Sequence, residues 1–143
     1  MAYAVNTSVP IERSRAEIEK ILEKHNATAF AYATRPELAQ IQFEMGERRM
    51  KFNLPLPVRP QGSKAVAVKK WEQTCRSKWR ALGLCIKAKL EAVESGITTL
   101  EYEFMAHIVL PDGRTLGEAV LPQVEESYRT NQMPPLLLGP SRG

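Results

Sequence analysis

The sequence predicts an α+β fold, with helices packed against one face of a small antiparallel sheet. Three observations indicate it: a helical period near the N-terminus, a strand-like pattern between residues 28 and 54, and a long amphipathic segment from Trp71 to Val93. With 143 residues, 43% of them apolar, the chain suits a single domain over 1–143 with a buried core. The expected order is an N-terminal helix, a three-stranded antiparallel meander, the long amphipathic helix packed on the sheet, and C-terminal helices.

The N-terminal helix is predicted to follow an irregular segment, residues 1–13. Ser14 and Glu17 have the spacing of a capping box, in which each side chain satisfies an N–H group at the start of a helix. Apolar residues then recur at helical spacing, at Ile18, Ile21 and Leu22. Asn26 is predicted to end the helix, because asparagine tolerates the left-handed backbone conformation found there.

A meander of three strands is predicted for residues 28–34, 39–45 and 48–54. The first is rich in residues compatible with β-structure, and the other two alternate between apolar and polar residues. The side chains expected to face the core are Ala39, Ile41, Phe43, Met45, Met50, Phe52 and Leu54. A sheet of this size is not stable alone, so the long helix is expected to cover its apolar face.

The long helix is predicted to follow a mobile loop over residues 55–68, which contain three prolines and a Gly-Ser pair. A rotation of about 100° per residue brings the apolar residues of the helix into one stripe. The members of this stripe are Trp71, Cys75, Trp79, Leu82, Ile86, Leu90 and Val93. Its two tryptophans are expected to pack in the core, and the alternative is base stacking, because aromatic residues among cations are typical of single-strand grooves.

The C-terminal third is predicted to be mainly helical. Residues 100–110 form either a helix or a short strand, and the sequence does not distinguish the two. Thr115 and Glu118 have the spacing of a second capping box, which opens the last helix. The tail, 131–143, is rich in proline and apolar residues, and its segment 133–138 either docks on a host or phage protein or folds back on the core.

Charge is segregated along the chain, although the net charge is only +4. Residues 48–90 hold twelve lysines and arginines and one acidic residue, and the segments on both sides are acidic. A surface with such a local field is typical of proteins that bind polyanions. The residues predicted to project together into solvent and bind nucleic acid are Arg49, Lys51, Lys64, Lys69, Arg76, Arg80 and Lys87. Two alternatives stay open, namely pairing with the chain's own C-terminal glutamates and binding to an acidic protein.

The sequence predicts no catalytic, cofactor or metal site, and we do not expect an enzyme. A weaker alternative is a metal-dependent nuclease, with Glu101, Glu103 and Asp112 as its carboxylates. Cys75 and Cys85 lie ten residues apart on one predicted helix, too far apart for a disulfide, so reduced thiols are expected. The N-terminus lacks the pattern of a signal peptide and no segment has the apolar length of a membrane span, so no membrane association is expected.

Six segments resemble a family of small, largely uncharacterised proteins of bacteriophages and prophages. They are residues 4–10, 14–18, 79–82, 86–99 (IKAKLEAVESGITT), 107–115 and 133–137, which together span nearly the whole chain. The resemblance implies a phage protein made in the cytoplasm of a bacterial host and often encoded among replication and recombination genes. It implies no catalytic residues.

Charge pattern and resemblance together predict a nucleic-acid-binding accessory protein of phage replication or recombination, acting on single-stranded DNA. The rival hypothesis is a protein-interaction module that inhibits or redirects a host or defence factor. Strand preference, the identity of any protein partner and the oligomeric state stay open at this point.

Overall fold

The computed structural model describes residues 7–62 and 64–134 and confirms the predicted α+β architecture. The elements are α1 (Ile11–Lys24), β1 (Ala29–Arg35), β2 (Leu38–Met45), β3 (Arg48–Pro55), α2 (Ala65–Glu94), α3 (Leu100–Glu103), a 3₁₀ turn (Met105–His107) and α4 (Leu116–Thr130). They follow one another in the predicted order. Residues 1–6, Ser63 and 135–143 lie outside the described residues, and so does most of the docking segment predicted at 133–138.

The start of α1 differs from the prediction, since the helix begins at Ile11 and the capping box at Ser14 and Glu17 is wrong. Pro10 has an extended backbone, and its carbonyl already accepts a hydrogen bond from the Ser14 N–H at 3.1 Å. Proline suits this position because it has no N–H group to leave unsatisfied where a helix begins. Ser14 therefore lies inside the first turn with its side chain buried. Asn26 has the predicted left-handed backbone, with φ of 68°.

The three strands form an antiparallel meander with β2 in the centre. The register places Ile41 between Tyr32 and Phe52, so side chains of the three strands alternate between the two faces together. The predicted core face is confirmed by the burial of Ala39, Ile41, Phe43, Met45, Met50, Phe52 and Leu54. Gly46 and Glu47 both have positive φ, which is the backbone of a two-residue hairpin turn that follows the twist of the strands.

The long helix α2 runs for 30 residues, so the loop predicted over 55–68 is wrong for its last four residues. Residues 65–68 contain no proline or glycine, and nothing in their backbone opposes an earlier start of the helix. The predicted apolar stripe is buried at Cys75, Trp79, Leu82, Ile86 and Leu90. This stripe shares one core with the apolar face of the sheet and with Ile18 and Leu22 of α1.

Residues 100–110 are mainly helical, which is one of the two possibilities that the sequence left open. They form α3 and the 3₁₀ turn, with Phe104 fully buried between them. Ile108 then bridges to β3, and the Val109 N–H donates to the Arg49 carbonyl at 2.8 Å. The outer edge of β3 is therefore covered by the chain itself.

The second capping box is confirmed at the start of α4. The Glu118 N–H donates to Thr115 Oγ1 at 3.1 Å, and the threonine hydroxyl donates to the Glu118 carboxylate, also at 3.1 Å. The helix ends before Asn131, whose φ is 56°. Among the helices in the described residues, none combines the length and the apolar character needed to cross a bilayer.

Candidate nucleic-acid interface

The seven cations predicted to bind nucleic acid do not share one surface. Arg49 and Lys51 alternate along β3 with the buried residues Met50 and Phe52, so they point away from the core. The remaining five lie at the start of α2 or within it, on the opposite side of the sheet. They are Lys64, Lys69, Arg76, Arg80 and Lys87. The sheet separates the two groups, and the prediction that all seven project together is wrong.

The two cations on β3 already have partners on the outer face of the sheet. Arg49 pairs with Glu44 of the neighbouring strand, with 3.6 Å between Nη2 and Oε1. Lys51 Nζ donates to the Gly113 carbonyl at 2.9 Å. The carboxylate of Glu44 offsets the charge of Arg49, and the hydrogen bond to Gly113 occupies one donor of Lys51 without neutralising it. β3 is therefore the weaker half of the predicted site.

The cationic side of α2 borders α1. Arg80 Nη1 lies 2.5 Å from Glu17 Oε2, and the arginine side chain is 32% exposed. The two residues are 63 positions apart in the sequence and meet only because α1 packs beside α2. A carboxylate of α1, and not one of the C-terminal glutamates, therefore neutralises Arg80.

The acidic C-terminal segment neutralises two other cations of the central segment. Arg48 pairs with Glu101 at 3.8 Å, and Lys89 pairs with Glu103 at 3.4 Å. Neither cation belongs to the predicted site, so intramolecular charge balance accounts for part of the segregated charge. The lysines of α2 other than Lys89 form no ion pair with a described residue. The lysines between residues 48 and 90 that form no ion pair with any described residue are Lys51, Lys64, Lys69, Lys70, Lys78 and Lys87.

A groove of about 890 Å³ opens beside the first half of α2, and its volume is typical of small-ligand sites. Its walls come from the start of α1, the turn between β1 and β2, and α2 itself. The polar and aromatic side chains that bear on its chemistry are Glu12, Arg15, Arg35, Trp71, Glu72, Gln73 and Arg76. The groove therefore offers cations, carboxylates, an amide and an indole ring to a ligand.

The two tryptophans of α2 have different surroundings. Trp79 is 1% exposed, which confirms core packing for this residue. Trp71 is half-buried and lines the groove, where its Nε1–H donates to the Pro57 carbonyl at 2.9 Å. The Arg59 guanidinium lies 5.1 Å from the centroid of the same indole. These two contacts hold the Trp71 ring in one orientation on the groove wall.

Arg15 is a groove residue that the sequence analysis missed. Its guanidinium carbon lies 4.5 Å from the Tyr32 ring centroid and 4.6 Å from that of Trp79. Its Nε is buried and has no hydrogen-bond partner among the described residues. The sequence does contain a signal for it, because Arg15 stands four residues after Ile11 and three before Ile18, on the apolar face of α1. An arginine at a core-facing position is unusual and requires a reason.

The three carboxylates considered for a nuclease are each paired with a cation. Glu101, Glu103 and Asp112 face Arg48, Lys89 and Arg114 respectively. The backbone and side-chain N–H groups of Arg114 hold the pKa of Asp112 below its ordinary value. Within residues 7–62 and 64–134, no group of histidine, cysteine, aspartate and glutamate side chains is arranged to hold a metal ion. The geometry therefore gives the nuclease hypothesis no support.

Comparisons with protein-family models, with curated proteins and with solved structures find no match for this chain. The resemblance to phage proteins therefore stays a prediction from the sequence.

Proposed function

We propose that the protein binds single-stranded nucleic acid along α2, with a base in the groove beside its first half and phosphates on cations along the helix. The observation that carries this proposal is the position of Trp71. Its indole is fixed on the wall of a groove that also holds Arg15 and Arg76, directly beside lysines that form no ion pair with described residues.

The groove is better suited to a base than to a phosphate. An indole ring stacks on any base, because every base has a π face, and the guanidinium of Arg15 adds hydrogen-bond donors. Glu12 and Glu72 also line the groove, and their negative charge offsets part of the positive charge that its arginines would offer to a phosphate. A stacked base must be free of its partner strand, so the groove favours single-stranded over duplex nucleic acid.

The phosphates are assigned to three exposed lysines, Lys64, Lys69 and Lys87, and to the partly buried Arg76. Lys69 and Arg76 are seven residues apart on one side of the helix, which places them about 10 Å from each other. Lys87 continues the same side toward the C-terminus of α2, and Lys64 lies just before its first residue. Each phosphate that a cation neutralises releases counterions. With about four such contacts, the logarithm of affinity should fall with the logarithm of salt at a slope of roughly −3.

Fluorescence anisotropy of a labelled oligothymidine, titrated with the full-length protein at several salt concentrations, tests the proposal. We expect binding at low salt, a slope near the value above, and weaker binding of a duplex of equal length. Lys69→Ala should lower the steepness of the slope by about 0.7, because one phosphate contact is lost. Arg49→Ala is the matched control, since it removes the same charge from the opposite face of the sheet and should leave affinity unchanged. Absence of binding at low salt rejects the proposal.

The assignment to phage replication or recombination in a bacterial host cytoplasm, with DNA as the ligand, rests on the sequence resemblance. The groove chemistry applies equally to RNA, so the same titration with an oligouridine compares the two.

A protein-binding module is the second candidate, and α4 is the observation that favours it. Leu121 and Tyr128, two helical turns apart, are 57% and 86% exposed. A partner that binds this side of α4 should remain attached during purification after nuclease treatment, and Leu121→Ser should release it. Retention of the partner by Leu121→Ser would exclude α4 as the docking face.

A further inference from the structure

The two edges of the sheet differ in whether another part of the chain covers them. The outer edge of β3 is bridged by Ile108 and Val109, as described above. On the other side the sheet ends with β1, beside which the described residues place no further strand. Most of the side chains of β1 are exposed on both of its faces, because α1 and α2 cover mainly the other two strands.

β1 lacks the features that usually prevent strand pairing at an edge. Exposed edges are normally short, or carry prolines, bulges or central charges that block a second strand. The seven residues of β1, AFAYATR, contain no proline, and the one charge is at the end, on Arg35. An edge of this kind is a template for another strand.

We propose that a second copy of this chain pairs with β1, antiparallel and about a two-fold axis at Tyr32, to form a continuous six-stranded sheet. Antiparallel pairing of identical strands is self-complementary, since residue i contacts residue j and j contacts i. An axis at Tyr32 lies at the middle of β1 and uses all seven residues of both strands. Any shifted register leaves some of their backbone N–H and C=O groups unpaired.

Charge on the outer face favours this register. Ala29 lies directly opposite Glu44 of β2, and Glu44 lies opposite Arg49 of β3. In the proposed pair, Arg35 of the second copy stands next to Ala29 on the same face. Its guanidinium then faces Glu44 across two strand spacings, about 10 Å between backbones, which the two long side chains can close over the small alanine. The two-fold axis creates this ion pair twice.

On the inner face, aromatic contacts favour the dimer and a repulsion between two cations opposes it. The axis sets Tyr32 against Tyr32 of the second copy, and Phe30 against Thr34 of the second copy. Tyr32 is 49% exposed in the single chain, so pairing buries aromatic surface. Each copy also brings Arg15, which lies over its own Tyr32, and repulsion between these two cations weakens the dimer.

The mass of the full-length protein in solution is the first test, measured by sedimentation equilibrium without nucleic acid from about 1 μM to about 1 mM. We expect a monomer–dimer equilibrium. Ala33→Lys puts a charge in the middle of the edge and should yield a monomer. At a concentration low enough for the wild type to be monomeric as well, the two proteins should melt at the same temperature, because this side chain is exposed. A wild-type protein that is monomeric over the whole range overturns the proposal. A dimer that Ala33→Lys does not weaken also overturns it.

A charge swap tests the register. Arg35→Glu and Glu44→Arg should each weaken self-association about tenfold, because two ion pairs become two repulsions. An equimolar mixture of the two variants should recover association, since every carboxylate then faces a guanidinium. A mixture that associates no better than the separate variants refutes the assigned register.

Oxidative cross-linking gives an independent test of the axis. A cysteine at the axis lies about 5 Å from its symmetry mate, close to disulfide geometry, whereas a cysteine one residue away is about 7 Å from its own. Tyr32→Cys should therefore form a covalent dimer, and Ala31→Cys and the wild-type protein with its two native cysteines should not. Equal cross-linking of both variants contradicts a two-fold axis at Tyr32. None of these measurements requires that the protein bind nucleic acid.

Discussion

Replacement of Trp71 by leucine separates a base-binding groove from a merely structural tryptophan. The substitution removes the stacking surface and the hydrogen bond to the Pro57 carbonyl, and it keeps an apolar side chain on the wall. One base–aromatic stack contributes about 1–3 kcal/mol to binding. The affinity for oligothymidine should therefore fall between about 5-fold and 150-fold.

The cost to folding should be modest. Trp71 is only half-buried, and the freed Pro57 carbonyl can accept a hydrogen bond from water. Loss of one such bond costs about 1 kcal/mol. The variant should therefore remain folded, and its circular dichroism should match that of the wild type.

Two readouts make this prediction specific. Trp71→Leu should lower affinity without changing the salt slope, because no charge is removed. Unlabelled oligothymidine should quench the tryptophan fluorescence of the wild type and leave the variant unaffected, since Trp79 is buried and the chain has two tryptophans. Trp71→Phe should keep part of the affinity. Wild-type affinity in Trp71→Leu would show that the groove does not hold a base.

Three further predictions concern stability. Phe104→Ala should lower the free energy of unfolding by about 3–5 kcal/mol in a urea titration, because the ring is fully buried; a loss below about 1 kcal/mol would contradict its place in the core. Gly46→Ala should lower the melting temperature, because its φ is +57° and an added Cβ would lie 2.7 Å from Leu100 Cδ2; an unchanged melting temperature would refute the tight turn. Burial, and then the charge of Lys89, lower the pKa of His107, so the folded state favours the neutral ring. The stability that the neutral His107 contributes is fully present above the unfolded pKa of about 6.5. That stability is lost as the pH falls toward the folded pKa. Thermal melts between pH 8 and pH 5 should show that loss in the wild type and a smaller one in His107→Gln, and equal losses would reject it.

Errors in the sequence analysis cluster where local signals competed. The Ser14–Glu17 pair has capping-box spacing, yet Pro10 starts the helix one turn earlier. The loop predicted at 55–68 was extended too far, because the prolines and Gly62 end before the helix-compatible run that begins at Ala65. In both places the element was correct and its boundary was not.

The core was predictable from the sequence because burial follows short-range periodicity. A strand turns its side chains to alternate faces, so the spacing of Ile41, Phe43 and Phe52 indicates which face of the sheet is buried. A helix repeats every 3.6 residues, so the spacing of Trp79 and Ile86 indicates the buried side of α2. The same reasoning indicated one cationic side on α2, and the cluster of lysines there is a property of the sequence.

Tertiary structure alone decided which charges are available and which residues share a site. The Arg80–Glu17 pair, the place of Arg15 beside Trp79 and the separation of Arg49 from Lys69 by the sheet all depend on how distant elements pack. No local period encodes those contacts, because they join residues tens of positions apart. The sequence therefore determined the elements, their buried faces and the excess of positive charge, whereas the packing of α1 beside α2 created the groove.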